Sequence, residues 1–232
     1  VYHITAQGNF GQSIFNDKTD AIKFLELLEK EIFQQRWKCH AYCLLENHYH
    51  LIVETREPNL SRGMGRLNMR YSQWFGRRYK RRGHLFHGRY KSIILQKEKF
   101  LLPLCRYVVL NPVRLKLVDN VNQWRWSSYR PLAYNEEKQA WLTLDWIQAQ
   151  FRGTKSKKNI AWQNYVLNGI DAPSPWKNLR PGNYLGDEKF LKHLSGKIKG
   201  KSLDQISKNA ANPARPTLNQ ILAAVSEASG VS

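Results

Sequence analysis

The 232-residue chain has few cysteines and few acids, and no long apolar run or internal repeat. Three cysteines, an odd number, supply no disulfide framework and suit a reducing compartment. Mean hydropathy is −0.59, and no apolar stretch approaches the ~18 residues needed to cross a bilayer, so a helical membrane protein is excluded. No signal-peptide pattern stands at the start, and the first residue is Val, which reads as a trimmed or processed end. Eighteen acidic residues face 37 basic ones, leaving a formal charge of +19 and a pI near 10.0. A surface of that sign attracts polyanions, of which nucleic acid is the commonest. The rival reading is a ribosomal-type or merely soluble basic protein. A hydrophobic fraction of 42% with eight Trp excludes a disordered basic tail, so the chain folds.

Residues 1–7 alternate apolar and polar like a strand and end at the turn signal Gly8-Asn9-Phe10-Gly11. From an Asn16/Asp17 cap, Ile22, Leu25, Leu28 and Ile32 recur at near-helical spacing up to Trp37. Lys38 to Thr55 reads as two strands joined tightly at Glu46-Asn47. Pro58-Asn59 opens a helix with Leu60, Met64, Leu67, Tyr71 and Phe75 on one face and Arg62, Arg66 and Arg70 on another. His84 to Gln96 looks like a further strand or hairpin arm. Phe100 to Asn111 is predicted helical, with Pro103 in its first turn and a stop at Asn111-Pro112. The order strand–helix–strand–strand–helix–strand–helix gives an α+β fold, an antiparallel sheet with helices on one face. Residues 1–131 form this catalytic candidate. Residues 132–232 form a mostly helical accessory extension, with a short helix near Leu144–Phe151, a linker-like stretch at Gly153–Lys158 and late helices at Leu203–Asn209 and Leu218–Ser229.

Two places carry chemistry. In Asn47-His48-Tyr49-His50, residues two apart share a strand face, so His48 and His50 point the same way and form a ready chelate for a divalent cation. The alternative is a pair of ordinary histidines. Cys39 and Cys43 could complete a zinc site with them, but the spacing is unusual for structural zinc and the cysteines sit among apolar neighbours. On the last catalytic helix, Tyr107 and Asn111 are four apart and share a face. Tyr107 is either a nucleophile or a core tyrosine. Asn111 is either a metal ligand or substrate-positioning amide, or only a helix stop.

The blocks Tyr2-His3-Ile4-Thr5-Ala6-Gln7-Gly8-Asn9, Glu46-Asn47-His48-Tyr49-His50-Leu51 and Tyr107 to Arg114, together with Phe86-His87-Gly88-Arg89-Tyr90-Lys91-Ser92, resemble the single-tyrosine transposases with a His-hydrophobe-His motif. They most resemble the REP-associated tyrosine transposases of bacteria. The resemblance implies a ferredoxin-like core, Mg²⁺ or Mn²⁺ held by His48, His50 and Asn111, and attack by Tyr107 on a DNA phosphodiester. It implies a 5′-phosphotyrosine intermediate, a single-stranded DNA substrate folded as REP-type hairpins, and a cytoplasmic, nucleoid-associated location in bacteria. Asn111 stands where related enzymes often carry Gln, a shorter reach with the same amide oxygen. Tyr49 fills the hydrophobe position with a larger residue than the usual Val, and Leu45-Glu46 replaces Met-Pro. Tyr90 is the rival nucleophile. Related insertion-sequence transposases act as dimers and REP-associated ones as monomers, which favours a monomer with a dimer left open.

From Arg56 to Lys91 there are eleven basic residues against one acid, Glu57, which accounts for ten of the nineteen net positive charges. Arg62, Arg66, Arg70, Arg77, Arg78, Lys80, Arg81, Arg82, Arg89 and Lys91, with Tyr90 and Arg114, are therefore the candidate DNA contacts. Tyr71, Trp74, Phe75 and Tyr79 are interleaved with them, and one or two are candidates to stack on unpaired bases. Residues 216–232 resemble the first helix of the duplex-binding domain of the replication initiator DnaA, which implies a module cut short before its recognition helix. The readings that compete with a metal-dependent transposase are a catalytically idle nucleic-acid-binding protein on the same fold and a metallo-phosphoesterase without a tyrosyl intermediate.

Overall fold

The computed structural model describes residues 1–180 and 182–198. The helices expected at 203–209 and 218–229, and the module at 216–232, lie outside them. The elements run β1 (Tyr2–Gln7), α1 (Lys18–Gln35), β2 (Lys38–Leu45), β3 (His48–Glu54), α2 (Leu60–Arg78), β4 (Lys91–Leu95) and α3 (Lys97–Arg114). They continue with α4 (Tyr129–Tyr134), α5 (Asp145–Ala149), α6 (Lys155–Leu167), β5 (Tyr184–Leu185) and α7 (Glu188–Ile198). The sheet order is β2-β3-β1-β4-β5. Its first four strands are antiparallel, in the ferredoxin-like arrangement, and β5 adds a parallel edge beside β4.

Helix α1 starts where expected. The Asp17 carboxylate accepts from the N–H groups of Thr19 and Asp20 at 2.8 and 3.2 Å, and Asp20 accepts in return from the N–H of Asp17 at 3.3 Å. Its buried stripe differs from the expected one: Ala21, Phe24, Leu28, Glu31 and Ile32 are inside, whereas Ile22 is 47% exposed. In α2 the buried face is Leu60, Met64, Leu67, Tyr71 and Phe75, as the spacing predicts.

Helices cover both faces of the sheet, where one was expected. The Tyr49 ring packs 4.7 Å from Phe24 of α1, and its hydroxyl donates to Asn68 Oδ1 of α2 at 2.7 Å. His50, the next residue, faces the other way and meets Tyr107 of α3, with ring centroids 6.4 Å apart. The cause lies in β3 itself, whose residues 49–53 are all buried. A strand that is apolar on both sides needs cover on both.

The stop expected at Asn111-Pro112 does not occur, and α3 continues to Arg114. Pro112 has no N–H to give to the carbonyl four residues back, that of Val108. The Asn111 side chain fills this gap: its Nδ2 donates to Val108 O at 3.3 Å and to Tyr107 O at 2.9 Å. The strand expected over 84–96 shrinks to β4, because Gly83 and Gly88 take φ values of 92° and 71° that no strand can continue. Only Phe86 bridges, to Gly8.

Residues after 120 close onto the free edge of β2. Leu44 N donates to Trp126 O at 2.8 Å, and Thr143 N donates to Cys39 O at 2.8 Å. The polar stretch at 153–158 is no linker: Thr154 caps α6, which buries Trp162 and Val166. The accessory region also supplies β5, whose Leu185 is fully buried.

On the outer side of α1 and α2, Glu31 is completely buried beneath Arg66 at 2.9 Å and Arg70 at 3.6 Å, both partly exposed. The two sides of this pair respond differently to mutation. Glu31→Gln leaves arginines that water can solvate and is expected to cost about 1 kcal/mol, whereas Arg66→Met leaves the buried carboxylate with only the longer Arg70 and Gln35 contacts and is expected to cost more, up to about 3 kcal/mol. Urea unfolding of the two variants measures this asymmetry.

Candidate active site

His48 and His50 share a face of β3, with ring centroids 5.0 Å apart and planes at 81°. His48 Nδ1 is hydrogen-bonded to Asn47 Oδ1 at 2.7 Å, which fixes the ring and turns Nε2 outward. His50 is held by a residue the sequence reading did not select. His3, on β1, places its Nε2 2.9 Å from His50 Nδ1, and the two rings stack with centroids 5.1 Å apart. Beyond that pair, His50 Nε2 and His3 Nδ1 are buried without any partner. With His50 Nδ1–H donating to His3, the orphaned His50 Nε2 keeps the lone pair a divalent cation requires.

All three imidazoles are neutral. Burial pushes His48 down to about 4 and, with the neighbouring His48, His3 down to about 3. Burial and both neighbours hold His50 well below its ordinary value. Neutral imidazole is the form that binds metal. Among the described residues no three His, Cys, Asp or Glu side chains converge on one point. A third protein donor to a cation held here would have to be of another type. Asn111 has its Nδ2 committed to the helix, which leaves Oδ1 as its available ligand atom. Geometry does not favour the zinc alternative: among the described residues Cys39 and Cys43 do not join the histidines in a cluster of three or more ligands, and both are fully buried in the apolar core.

Tyr107 comes from α3 and lies edge-on to His50. Two groups enclose it: Trp176, which the sequence reading missed, and Arg114, which it took as a DNA contact. Trp176, in a short 3₁₀ turn at Pro175–Asn178, meets the Tyr107 ring at 5.2 Å and the His3 ring at 4.8 Å. The Arg114 guanidinium sits 5.3 Å over the same ring while Nη2 donates to the carbonyls of Gly169 and Ala172 at 3.0 and 2.8 Å. Burial raises the Tyr107 phenol above its ordinary value, and the Trp176 hydrogen bond and the Arg114 charge offset only part of this. A cavity of about 420 Å³ opens beside Tyr107, with Lys99, Arg106, Arg114 and Lys177 in its wall. A cavity of about 480 Å³ around Tyr42, Arg125, Arg130 and Glu136 contains none of these residues.

The candidate DNA contacts divide in two. Arg62 donates to Gln35, Arg66 to Glu31 and Gln34, and Arg70 pairs with Glu31. Arg78 is clamped to Asp17 and Asp20, and Arg81 donates to Gln12. Arg77, Lys80, Arg82, Arg89 and Lys91 are exposed, and their side chains make no hydrogen bond or ion pair among the described residues. Lys91 stands in a row with Thr5 and His50 across β4, β1 and β3, on the histidine face. Tyr90 is hydrogen-bonded to Ser61 of α2, on the side of the sheet away from the histidines. Of the interleaved aromatics, Tyr71 and Phe75 are buried, and Trp74 and Tyr79 are half-buried beneath Arg78.

Residues 1–110 match the family described as "Transposase IS200 like". Among solved structures, the chain is similar to a REP-associated tyrosine transposase bound to a REP hairpin, with 16% identity over 61% of this chain and 84% of that one, and a TM-score of 0.50. That likeness is one of fold. Among curated proteins none matches. No helix among the described residues is long and apolar enough to cross a membrane.

The His3–His50 contact has a measurable cost of removal. His3→Leu leaves a buried His50 nitrogen unpaired and is expected to destabilise the fold by about 1–3 kcal/mol, with His3→Gln milder because its amide can still pair. Urea midpoints of the two variants check the order.

Proposed function

We propose, from the match of residues 1–110 to the IS200-like transposase family, that the chain cleaves and rejoins single-stranded DNA carrying REP-type hairpins, through Tyr107. The observation that carries the reading is the meeting of Tyr107 with His50, two residues 57 positions apart in sequence whose rings face each other across the β3–α3 interface. The orphaned His50 Nε2, the outward Nε2 of the Asn47-bonded His48 and the free Oδ1 of Asn111 suit a hard divalent cation, Mg²⁺ or Mn²⁺. Such an ion would supply Lewis-acid polarisation of a non-bridging phosphate oxygen.

The chain's own groups do the rest. Arg114, stacked on the nucleophile, and Lys99, Arg106 and Lys177 around the adjoining cavity place positive charge where phosphates would lie. The phenolic oxygen of Tyr107 forms a bond to phosphorus as the P–O3′ bond breaks. The phenol loses one proton, the departing 3′-oxygen gains one, and the products are a 5′-phosphotyrosine and a 3′-hydroxyl. Attack by a second 3′-hydroxyl reverses the step and joins strands without ATP, because the ester retains the bond energy. Arg77, Lys80, Arg82, Arg89 and Lys91 are the cations left to hold the flanking backbone, and binding should weaken steeply with salt.

One observation favours the idle-binder reading: Trp176 is buried against Tyr107, and burial keeps the phenol protonated. The two readings separate in one assay. Incubated with a labelled hairpin strand and Mn²⁺ or Mg²⁺, the protein is expected to form an SDS-resistant adduct, and Tyr107→Phe to lose it entirely while still binding the hairpin. An adduct that survives in that variant places the nucleophile elsewhere. Absence of cleavage with either metal favours the idle binder, and cleavage without an adduct favours a different phosphoesterase.

A further inference from the structure

Phe10 sits at the tip of the turn that leaves β1 and is 95% exposed. Its backbone is left-handed, φ 51° and ψ 33°, a conformation that suits Gly or Asn and costs a bulky side chain. The fold thus gains neither burial nor backbone comfort from a phenylalanine here. The turn around it is nevertheless firmly built. Gly8 N donates to Asn47 O at 2.7 Å, Asn9 N to Leu85 O at 2.8 Å, and Asn47 Nδ2 to Gly11 O at 3.3 Å. A Cβ at Gly8 would meet Gln12 O at 2.0 Å, so only glycine allows this close approach.

The position gives the ring a partner of definite chemistry. Asn47, which anchors the turn, is the residue that orients His48. Leu85, the other anchor, belongs to the segment carrying the exposed Arg82 and Arg89, and Arg81 is hydrogen-bonded to Gln12 beside the turn. An exposed aromatic ring on a well-bonded turn, linked to a segment that carries exposed cations and to the residue that orients His48, matches how single strands are held: cations on the backbone and π-faces under the bases. We propose that Phe10 is a stacking platform for an unpaired base in the single strand flanking the hairpin, immediately before it reaches His48 and Tyr107. This rests on the transposase reading and adds to it a contact that selects unpaired flank over duplex without choosing a base.

The test uses the full chain and two hairpins, one with single-stranded flanks carrying 2-aminopurine at one position at a time and one without flanks. Wild-type protein is expected to quench 2-aminopurine at one flank position and to bind the flanked hairpin more tightly. Phe10→Ala should lose that quenching and about tenfold in affinity for the flanked hairpin, with the flankless one unaffected. Phe10→Trp should retain both. Phe10→Gly should lose them while keeping or raising the thermal midpoint, which separates the contact from any folding role. Unchanged binding and quenching in Phe10→Ala would overturn the proposal alone. An equal loss on both hairpins would overturn its assignment to the flank. Wild-type protein that binds neither hairpin would overturn the transposase reading and this inference with it.

Discussion

Strand β3 is enclosed on both sides, and much of the molecule follows from that constraint. Tyr49, Leu51 and Val53 are fully buried, as is Ile52, so helices must lie above and below the sheet. One layer, α1 and α2, takes Tyr49 into an aromatic cluster with Phe24. The other, α3, lies on the face that carries His50. The enclosure that stabilises the sheet also removes water from the histidines. Desolvation keeps them neutral, and it leaves His50 Nε2 without a partner in a place where a bare polar atom is costly. His50 Nε2 is one of six buried polar side-chain atoms without a hydrogen-bond partner among the described residues, and with His3 Nδ1 it belongs to the stacked imidazole pair.

The basic segment has two tasks that its density alone conceals. Arg66, Arg70 and Arg78 lock α2 to α1 through Glu31, Asp17 and Asp20, and their charge is largely spent inside the molecule. Among the described residues, the side chains of Lys80, Arg82, Arg89 and Lys91 in the following loop and β4 have no such partners, and Lys91 lies in register with His50. Arg114 works differently again. It holds the chain after α6 in place through two carbonyls and presents its flat face to Tyr107. The net charge of +19 therefore overstates the charge available to a polyanion, because part of it is paired inside the molecule.

How legible the sequence was depended on how local each cause was. The α2 stripe could be read because its burial is one-sided and follows helical spacing. The α1 stripe was misjudged because Ile22 and Leu25 look apolar although the inward face runs through Phe24 and Leu28. Asn111-Pro112 reads as a stop in any local rule, yet α3 passes through it, with the folded-back Asn111 amide occupying the carbonyl that Pro112 cannot reach. His48, His50 and Tyr107 were recognisable as motifs, and their meeting agrees with the ferredoxin-like order. His3 was visible only as a lone histidine in an opening strand, because its role depends on the β1–β3 register. Trp176 carried no signal at all: its contacts with Tyr107 and His3 come from a turn 69 positions beyond the nucleophile.

The central claim is that β1, β3 and α3 together assemble one cation-binding and nucleophilic centre around His50. Pulsed EPR of Mn²⁺ bound to protein labelled with ¹⁵N-histidine tests it most directly. The account predicts hyperfine coupling to two imidazole nitrogens, reduced to one in His48→Ala or in His50→Ala, with the signal unchanged in Tyr107→Phe. Mn²⁺ that binds with no nitrogen coupling, or whose coupling survives both histidine substitutions, would contradict it.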